Sequence, residues 1–296
     1  MYMKKLVLIF SIMATTTILM AQEDLLKELE QSQKRKTQKT FQTFNGTRLV
    51  NGHTVESKPK HTLEFIFQHR FGAMNQGAYE LWGLDQAYVR LGLDYGISDN
   101  LSASIGRNSV DKTLDGYLKF KLLKQKSGSA DFPVTVTILG GMAYKASPKK
   151  EDAVDGFETI DRLAYTTQLL IARKFNSKIS LQIMPSYVHK NAVDQSIEKN
   201  NQFALGFGGR LKITKSMALT SEYYYNVSIQ ENAPYYNSLG LGIDLETGGH
   251  VFQLLITNAI GLTERAFITE TRDNFFDGDI HLGFNVTRTF QTKKNK

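Results

Sequence analysis

The stretch Ala87-Tyr88-Val89-Arg90-Leu91-Gly92-Leu93-Asp94-Tyr95 alternates strictly, with Ala87, Val89, Leu91, Leu93 and Tyr95 in one set and Tyr88, Arg90, Gly92 and Asp94 in the other. A period of two places these sets on opposite faces of a β-strand, one apolar and one polar. The same pattern appears upstream, where Leu63, Phe65 and Phe67 oppose Glu64, Ile66, Gln68 and Arg70. Downstream, Leu114, Leu118, Phe120 and Leu122 oppose Asp115, Tyr117, Lys119 and Lys121. It returns in Phe203, Leu205, Phe207 and Leu211 against Gly206, Gly208, Arg210 and Lys212, and in Ile280, Leu282, Phe284 and Val286 against His281, Gly283, Asn285 and Thr287.

Twelve such runs can be counted, at about 61–71, 86–96, 101–108, 114–123, 133–145, 160–173, 178–189, 201–213, 217–228, 238–246, 250–260 and 279–290. Strands near ten residues long, rising about 3.3 Å per residue and tilted about 40°, cover the roughly 25 Å apolar band of an outer-membrane barrel. Long polar connections (72–85, 146–159, 190–200, 229–237, 261–278) alternate with tight ones (97–100, 175–177, 214–216, 247–249), and 109–113 and 124–132 break the rule. Short turns on one side and long loops on the other mark a transmembrane barrel, with both termini on the short-turn, periplasmic side. Nearly every strand pairs its apolar stripe with one rich in Gly, Ser, Thr and charge, which leaves no second apolar set for an interior core and disfavours a soluble sandwich or lipocalin-like barrel. The expected fold is therefore all-β, a transmembrane up-and-down antiparallel β-barrel of about 12 strands preceded by a short periplasmic segment.

The chain has 296 residues, no cysteine and a net charge of +7. Absence of cysteine removes disulfide frameworks, thiolate metal sites and cysteine nucleophiles. A mean hydropathy below zero excludes a polytopic helical membrane protein, since each helical span needs about 20 mostly apolar residues. Lys4 and Lys5, the apolar run Leu6 to Met20 and the small residue Ala21 have the form of a secretory signal peptide, expected to be cleaved after Ala21. Residues 22–60 carry eight basic against five acidic side chains, and Lys293, Lys294 and Lys296 add to the C-terminal tail, so the region between is close to neutral. A nucleic-acid partner is not expected of such a body. The resulting division is a signal peptide at 1–21, a periplasmic helix and hairpin segment at 22–60, the barrel at 61–291 and a basic tail at 292–296.

Wording as well as pattern is informative. The stretch Phe41-Gln-Thr-Phe-Asn-Gly-Thr-Arg48-Leu-Val-Asn51-Gly52-His53-Thr-Val-Glu56, followed by Leu63 to Gly72, Leu84-Asp85, Tyr95-Gly96-Ile97, Ile105-Gly106-Arg107, His250 to Leu254 and Gly283-Phe284-Asn285, resembles an uncharacterised Bacteroidetes family of outer-membrane β-barrels, a domain of unknown function. The resemblance covers roughly residues 40 to 290. It implies an outer-membrane barrel and no reaction, substrate or cofactor.

With the apolar stripe toward lipid, the lumen-facing charges are Glu64, Arg70, Arg90, Asp94, Asp115, Lys119, Lys121, Arg210, Lys212, Glu222, Asp244 and Glu246. Equal numbers of each sign suit cross-lumen ion pairs better than a single-sign selectivity ring. Lumen glycines, among them Gly92, Gly106, Gly206, Gly208, Gly240 and Gly242, leave space or let a strand bend. A barrel of this size lies between filled small barrels and open porins, so a narrow or plugged lumen is expected. Arg48-Leu49-Val50 meets His53-Thr54-Val55 across Asn51-Gly52, a dipeptide that favours a type I′ hairpin. Phe41, Phe44, Arg48, Leu49 and Val50 are candidates for a plug, because this piece is too apolar for a free tail and an isolated hairpin needs a surface.

No catalytic, cofactor or metal residue is expected. The six histidines stand singly, and Asp273, Asp277 and Asp279 lack the EF-hand order. Ser186 and His189 have opposite strand parity, so they point apart. Tyr223, Tyr224, Tyr225, Tyr235, Tyr236 and Phe290 read as an aromatic belt at headgroup depth. The expected function is a non-enzymatic, exported outer-membrane barrel in contact with lipid, serving as a narrow or plugged channel for small solutes. The alternative is a structural barrel that docks a periplasmic or other protein partner through its N-terminal segment or long loops, with an outer-membrane lipid-modifying enzyme a distant third.

Overall fold

The computed structural model describes residues 38–40, 42–128, 131–147, 158–247 and 250–293. The expected signal peptide, the helix expected before residue 38, and Phe41 lie outside the described residues. Two units are distinguished, Met1–Lys39 with Lys126–Phe132, and Thr40–Gln125 with Pro133–Lys296. In the first, Gln38–Lys39 pairs antiparallel with Lys126–Ser127.

The second unit is a closed antiparallel barrel of twelve strands in sequence order. Its strands are β1 (Thr62–Ala73), β2 (Ala87–Gly96), β3 (Leu101–Asn108), β4 (Leu114–Leu123), β5 (Thr135–Tyr144), β6 (Leu163–Lys174), β7 (Ile179–Lys190), β8 (Asn201–Lys212), β9 (Met217–Asn226), β10 (Ser238–Thr247), β11 (His250–Thr257) and β12 (His281–Gln291). Closure comes from β12 against β1, with Phe290 opposite Leu63 and Gly283 opposite Arg70. No edge is left, which is the condition for placing strands in a medium that offers no hydrogen bonds.

Alternation in sequence becomes alternation in space. Along β1, Glu64, Ile66, Gln68 and Arg70 are buried while Phe65 is exposed, and along β8 Gln202 and Ala204 are buried while Phe203 and Phe207 are exposed. The outer wall carries Leu91, Leu93, Ile105, Leu118, Leu181, Ile183, Leu219, Leu241 and Leu254, all exposed. An apolar outer wall around polar inner positions is stable only where the surroundings are themselves apolar.

The interior departs from the sequence expectation in one respect. A second apolar set does exist inside the barrel, made by Leu170 and Ala172 of β6, Met184 and Val188 of β7, Ala204 of β8 and Tyr224 of β9, together with Phe44, Leu49 and Val55 from the N-terminal segment and Ala259, Phe267 and Ile268 from the last long connection. Tyr224 is thereby removed from the expected aromatic belt; it is fully buried, with its hydroxyl on Met184 Sδ at 3.2 Å. The apolar cluster lies along β6 to β9, while Glu64, Arg70, Arg90, Asp94, Lys119 and Lys121 gather buried charge on β1, β2 and β4.

Candidate functional site

Residues 43–56 run inside the barrel. Both ends of this segment stand at the short-turn end, where Thr40 N–H donates to Gln125 O at 3.0 Å and Lys60 N–H to Asp99 Oδ1 at 3.1 Å. Between them the chain forms a hairpin in which Arg48 bridges His53, Leu49 N–H donates to Gly52 O at 2.9 Å and Thr54 N–H to Thr47 O at 3.0 Å. The turn is not the type I′ expected from Asn51-Gly52, because that turn needs positive φ at both residues and neither has it. A carboxylate in the wall accounts for the difference. Glu222 of β9 accepts from three consecutive backbone N–H groups, Val50 at 3.1 Å, Asn51 at 2.7 Å and Gly52 at 2.9 Å. Successive N–H groups converging on one anion form a nest, and that geometry is reached here with a backbone unlike the free hairpin's.

The rest of the segment is held from around the ring. Asn285 of β12 donates to Val50 O at 2.9 Å, Gln253 of β11 to Leu49 O at 2.8 Å, and Arg70 of β1 to Asn51 Oδ1 at 2.8 Å. Gln182 of β7 donates to His53 O at 2.7 Å and accepts from Val55 N–H at 2.8 Å, while Thr137 of β5 donates to Val55 O at 2.9 Å. Lys119 of β4 donates to Thr54 O at 3.1 Å and Glu56 O at 2.9 Å, and Lys121 pairs with Glu56 at 3.2 Å. Among the described residues, seven of the twelve strands therefore hydrogen-bond to the hairpin, which satisfies its buried backbone groups. Two lumen glycines make the close fit possible. A Cβ on Gly208 would stand 2.2 Å from Leu49 Cδ1, and one on Gly240 would stand 2.7 Å from Val50 Cγ1.

The connection at 258–280 enters from the opposite, long-loop end. Its short α-helix, α1 (Glu264–Thr269), is buried at every residue. Phe267 packs edge-on against Tyr224 with ring centroids 5.1 Å apart, and Ile268 O accepts from Asn226 Nδ2 at 3.3 Å. Glu264 faces the hairpin, 3.0 Å from Arg48 Nη1 and 2.8 Å from His53 Nε2. Arg48 also lies over the Tyr117 ring, 5.5 Å from its centroid.

The remaining charges expected in the lumen sort by depth. Arg90 is fully buried, donates from Nε to Asp115 at 3.0 Å and reaches Gln68 at 3.2 Å. Asp94 accepts from the Tyr117 hydroxyl, and Glu64 pairs with Lys58 and accepts from Thr47 Oγ1 at 2.9 Å. Arg210 pairs with Glu246 at 2.7 Å and lies 3.9 Å from Asp244, which accepts from Gln253 at 2.8 Å. Lys212 and Glu246 are partly exposed at the short-turn rim. Sequence reasoning missed Gln182, Gln253 and Asn285, which are uncharged lumen residues on the pattern it used, and Glu264, for which a loop position carries no periodic signal.

Ser186 and His189 are not brought together. Ser186 points inward to Gln168 Nε2 at 2.8 Å, whereas His189 lies outside against Asn201 at 2.7 Å. Asp273 lies 2.8 Å from His281 Nε2 and Asp279 accepts from Asn75 at 2.5 Å, and no group of three or more candidate metal ligands occurs among the described residues.

A family model described as Membrane bound beta barrel domain (DUF5777) matches residues 44–290, a span that begins within the inserted hairpin and ends in the last strand. The chain belongs to this family. It is accordingly a membrane-bound β-barrel. Among solved structures, the chain is similar to a NanC porin in a rhombohedral crystal form (12% identity, 77% of this chain and 98% of that one, TM-score 0.49). It is similar also to an outer membrane channel from Pseudomonas putida F1 (13%, 81% and 100%, TM-score 0.49) and to a KdgM porin (8%, 77% and 99%, TM-score 0.47). No curated protein matches the chain.

Proposed function

We propose that this protein is a non-enzymatic outer-membrane channel for small solutes that is held closed by residues 43–56, a plug inserted from the periplasmic side. One observation carries the reading: the hairpin exchanges hydrogen bonds with strands all around the ring, donating three backbone N–H groups to Glu222 and accepting from Asn285 and Lys119, so it occupies the path a solute would take. A plug that enters and leaves by the same mouth can withdraw as a unit without unthreading, which a permanent internal strand could not do. Partners follow from the position of each surface: lipid on the outer wall, and a small solute in the lumen once the hairpin is displaced.

Substitution of the two glycines beneath the hairpin tests this directly. Gly208→Phe and Gly240→Phe put an aromatic ring where Leu49 and Val50 now sit, and interiors this closely packed do not absorb such volume. In planar bilayers, wild-type protein is expected to show little conductance and either variant clearly more. Equal conductance in barrels that fold, judged by their mobility without heating, would remove the plug.

Orientation provides a separate prediction. Because the chain has no cysteine, single engineered thiols report cleanly. Asn232→Cys, in an exposed long loop, should be labelled by an impermeant maleimide on intact cells, whereas Ser177→Cys and Ser216→Cys in the short turns should not. Reversed labelling would put the hairpin's entrance on the cell surface.

A further inference from the structure

The barrel holds two inserts that enter from opposite ends. The hairpin has both ends at the short-turn mouth, and the connection carrying α1 leaves β11 and rejoins β12 at the long-loop rim, so each can retract without the other. Yet they meet. The polar contacts described between them all end on one carboxylate, Glu264, which faces Arg48 at 3.0 Å and His53 at 2.8 Å with all three side chains buried. On the hairpin side, Arg48 is tied back to the turn by donating to Asn51 O at 3.1 Å, and Asn51 is one of the residues seated on Glu222. On the loop side, α1 continues into Glu270, which pairs with Lys190 at the end of β7 at 3.1 Å and also with Arg265. A chain of contacts thus runs from the long-loop rim through Glu264 to the nest that seats the plug.

We propose that Glu264 is a latch joining the two inserts, so that lifting the 258–280 connection at the long-loop end loosens the hairpin, and loosening the hairpin frees the connection. The proposal rests on the reading of residues 43–56 as a plug. Its physical basis is the cost of separating the pair. If α1 moved away alone, buried Arg48 would lose the carboxylate it contacts directly and keep Asn51 O and the Tyr117 ring as its close contacts. Coupling between two elements is reciprocal, so each insert must feel the removal of its partner's half of the contact. A solute or other ligand gripping the long loops would then act on the plug without touching it.

The test uses the full mature chain, folded and reconstituted in lipid vesicles, with one thiol reporter on each insert. Val55→Cys reports on the hairpin and Ala266→Cys on α1; both positions are buried, so labelling by a water-soluble maleimide measures release. Each reporter is combined with a substitution on the other insert: Val55→Cys with Glu264→Gln, and Ala266→Cys with Arg48→Met. Both labelling rates are expected to rise by about tenfold or more over the reporter alone, within the range of typical coupling between sites. Either reporter remaining at its own background rate would overturn the latch. Glu222→Ala, which frees the hairpin from the wall without involving α1, separates this failure from failure of the plug. If it exposes Val55→Cys while Glu264→Gln does not, the plug stands and the latch falls; if neither exposes it, the hairpin is fixed and both fall. Should Glu264→Gln not fold, Glu264→Asp draws the carboxylate back from Arg48 while retaining charge, and the same outcomes apply.

Discussion

Charge reversal at Arg90 is expected to lower the stability of the detergent-folded barrel by about 3–5 kcal/mol, the usual consequence of leaving one member of a buried pair alone. Arg90 is fully buried and its guanidinium contacts Asp115 and Gln68. Arg90→Glu would place two carboxylates together in the barrel interior. The heat-unfolding temperature, read from loss of the fast-migrating folded form, should fall clearly. Arg210→Glu, near the short-turn rim and beside the partly exposed Glu246, should have a smaller effect in the same direction because solvent can screen it. Unchanged unfolding temperatures in both would mean a wide, water-filled lumen.

Glu222→Ala should have the second large effect, and through a different mechanism. Three backbone donors lose their acceptor, and a buried donor left unsatisfied costs about 1–3 kcal/mol each. The loss falls on the hairpin and not on the sheet, whose ladder between β9 and its neighbours is unaffected. Amide hydrogen exchange at Val50, Asn51 and Gly52 should therefore accelerate strongly while exchange in β9 stays slow. Parallel acceleration of both would show that the hairpin belongs to the folding core of the barrel and is not a separable element.

The barrel was legible in the sequence because a membrane-spanning sheet leaves its period on every strand. Runs such as Leu63 to Arg70 and Ala87 to Tyr95 can satisfy lipid on one side and polar neighbours on the other in only one register, since a slip by one residue would exchange the faces. The hidden part was the interior, and the reason lies in β6 and β7. There Leu169, Leu170 and Ile171, or Ile183 and Met184, are apolar on both faces. Such doubled stretches blur the alternation, and they are where Phe44, Leu49 and Phe267 pack. Tyr224 was misread for a similar reason: three consecutive tyrosines look like a belt, yet parity sends the middle one inward. Glycines at 208 and 240 did signal space on the lumen side, but their meaning depends on Leu49 and Val50, more than 150 residues away. Glu264 lies in an aperiodic loop, where no local pattern indicates that a carboxylate will be buried against an arginine from the other end of the chain.

The account depends on the hairpin lying inside the barrel, and a cross-link between Leu49→Cys and Gly208→Cys measures that most directly. A Cβ at position 208 falls beside the Leu49 side chain, so the two thiols of the double variant would face each other with no other cysteine in the chain to compete. Mild oxidation of the folded, membrane-reconstituted protein should join them almost completely, giving one linked peptide pair by mass spectrometry and a barrel with little conductance. Leu49→Cys paired with Leu118→Cys on the exposed outer wall should not join. Two free, rapidly labelled thiols at positions 49 and 208 in a correctly folded barrel would contradict the account.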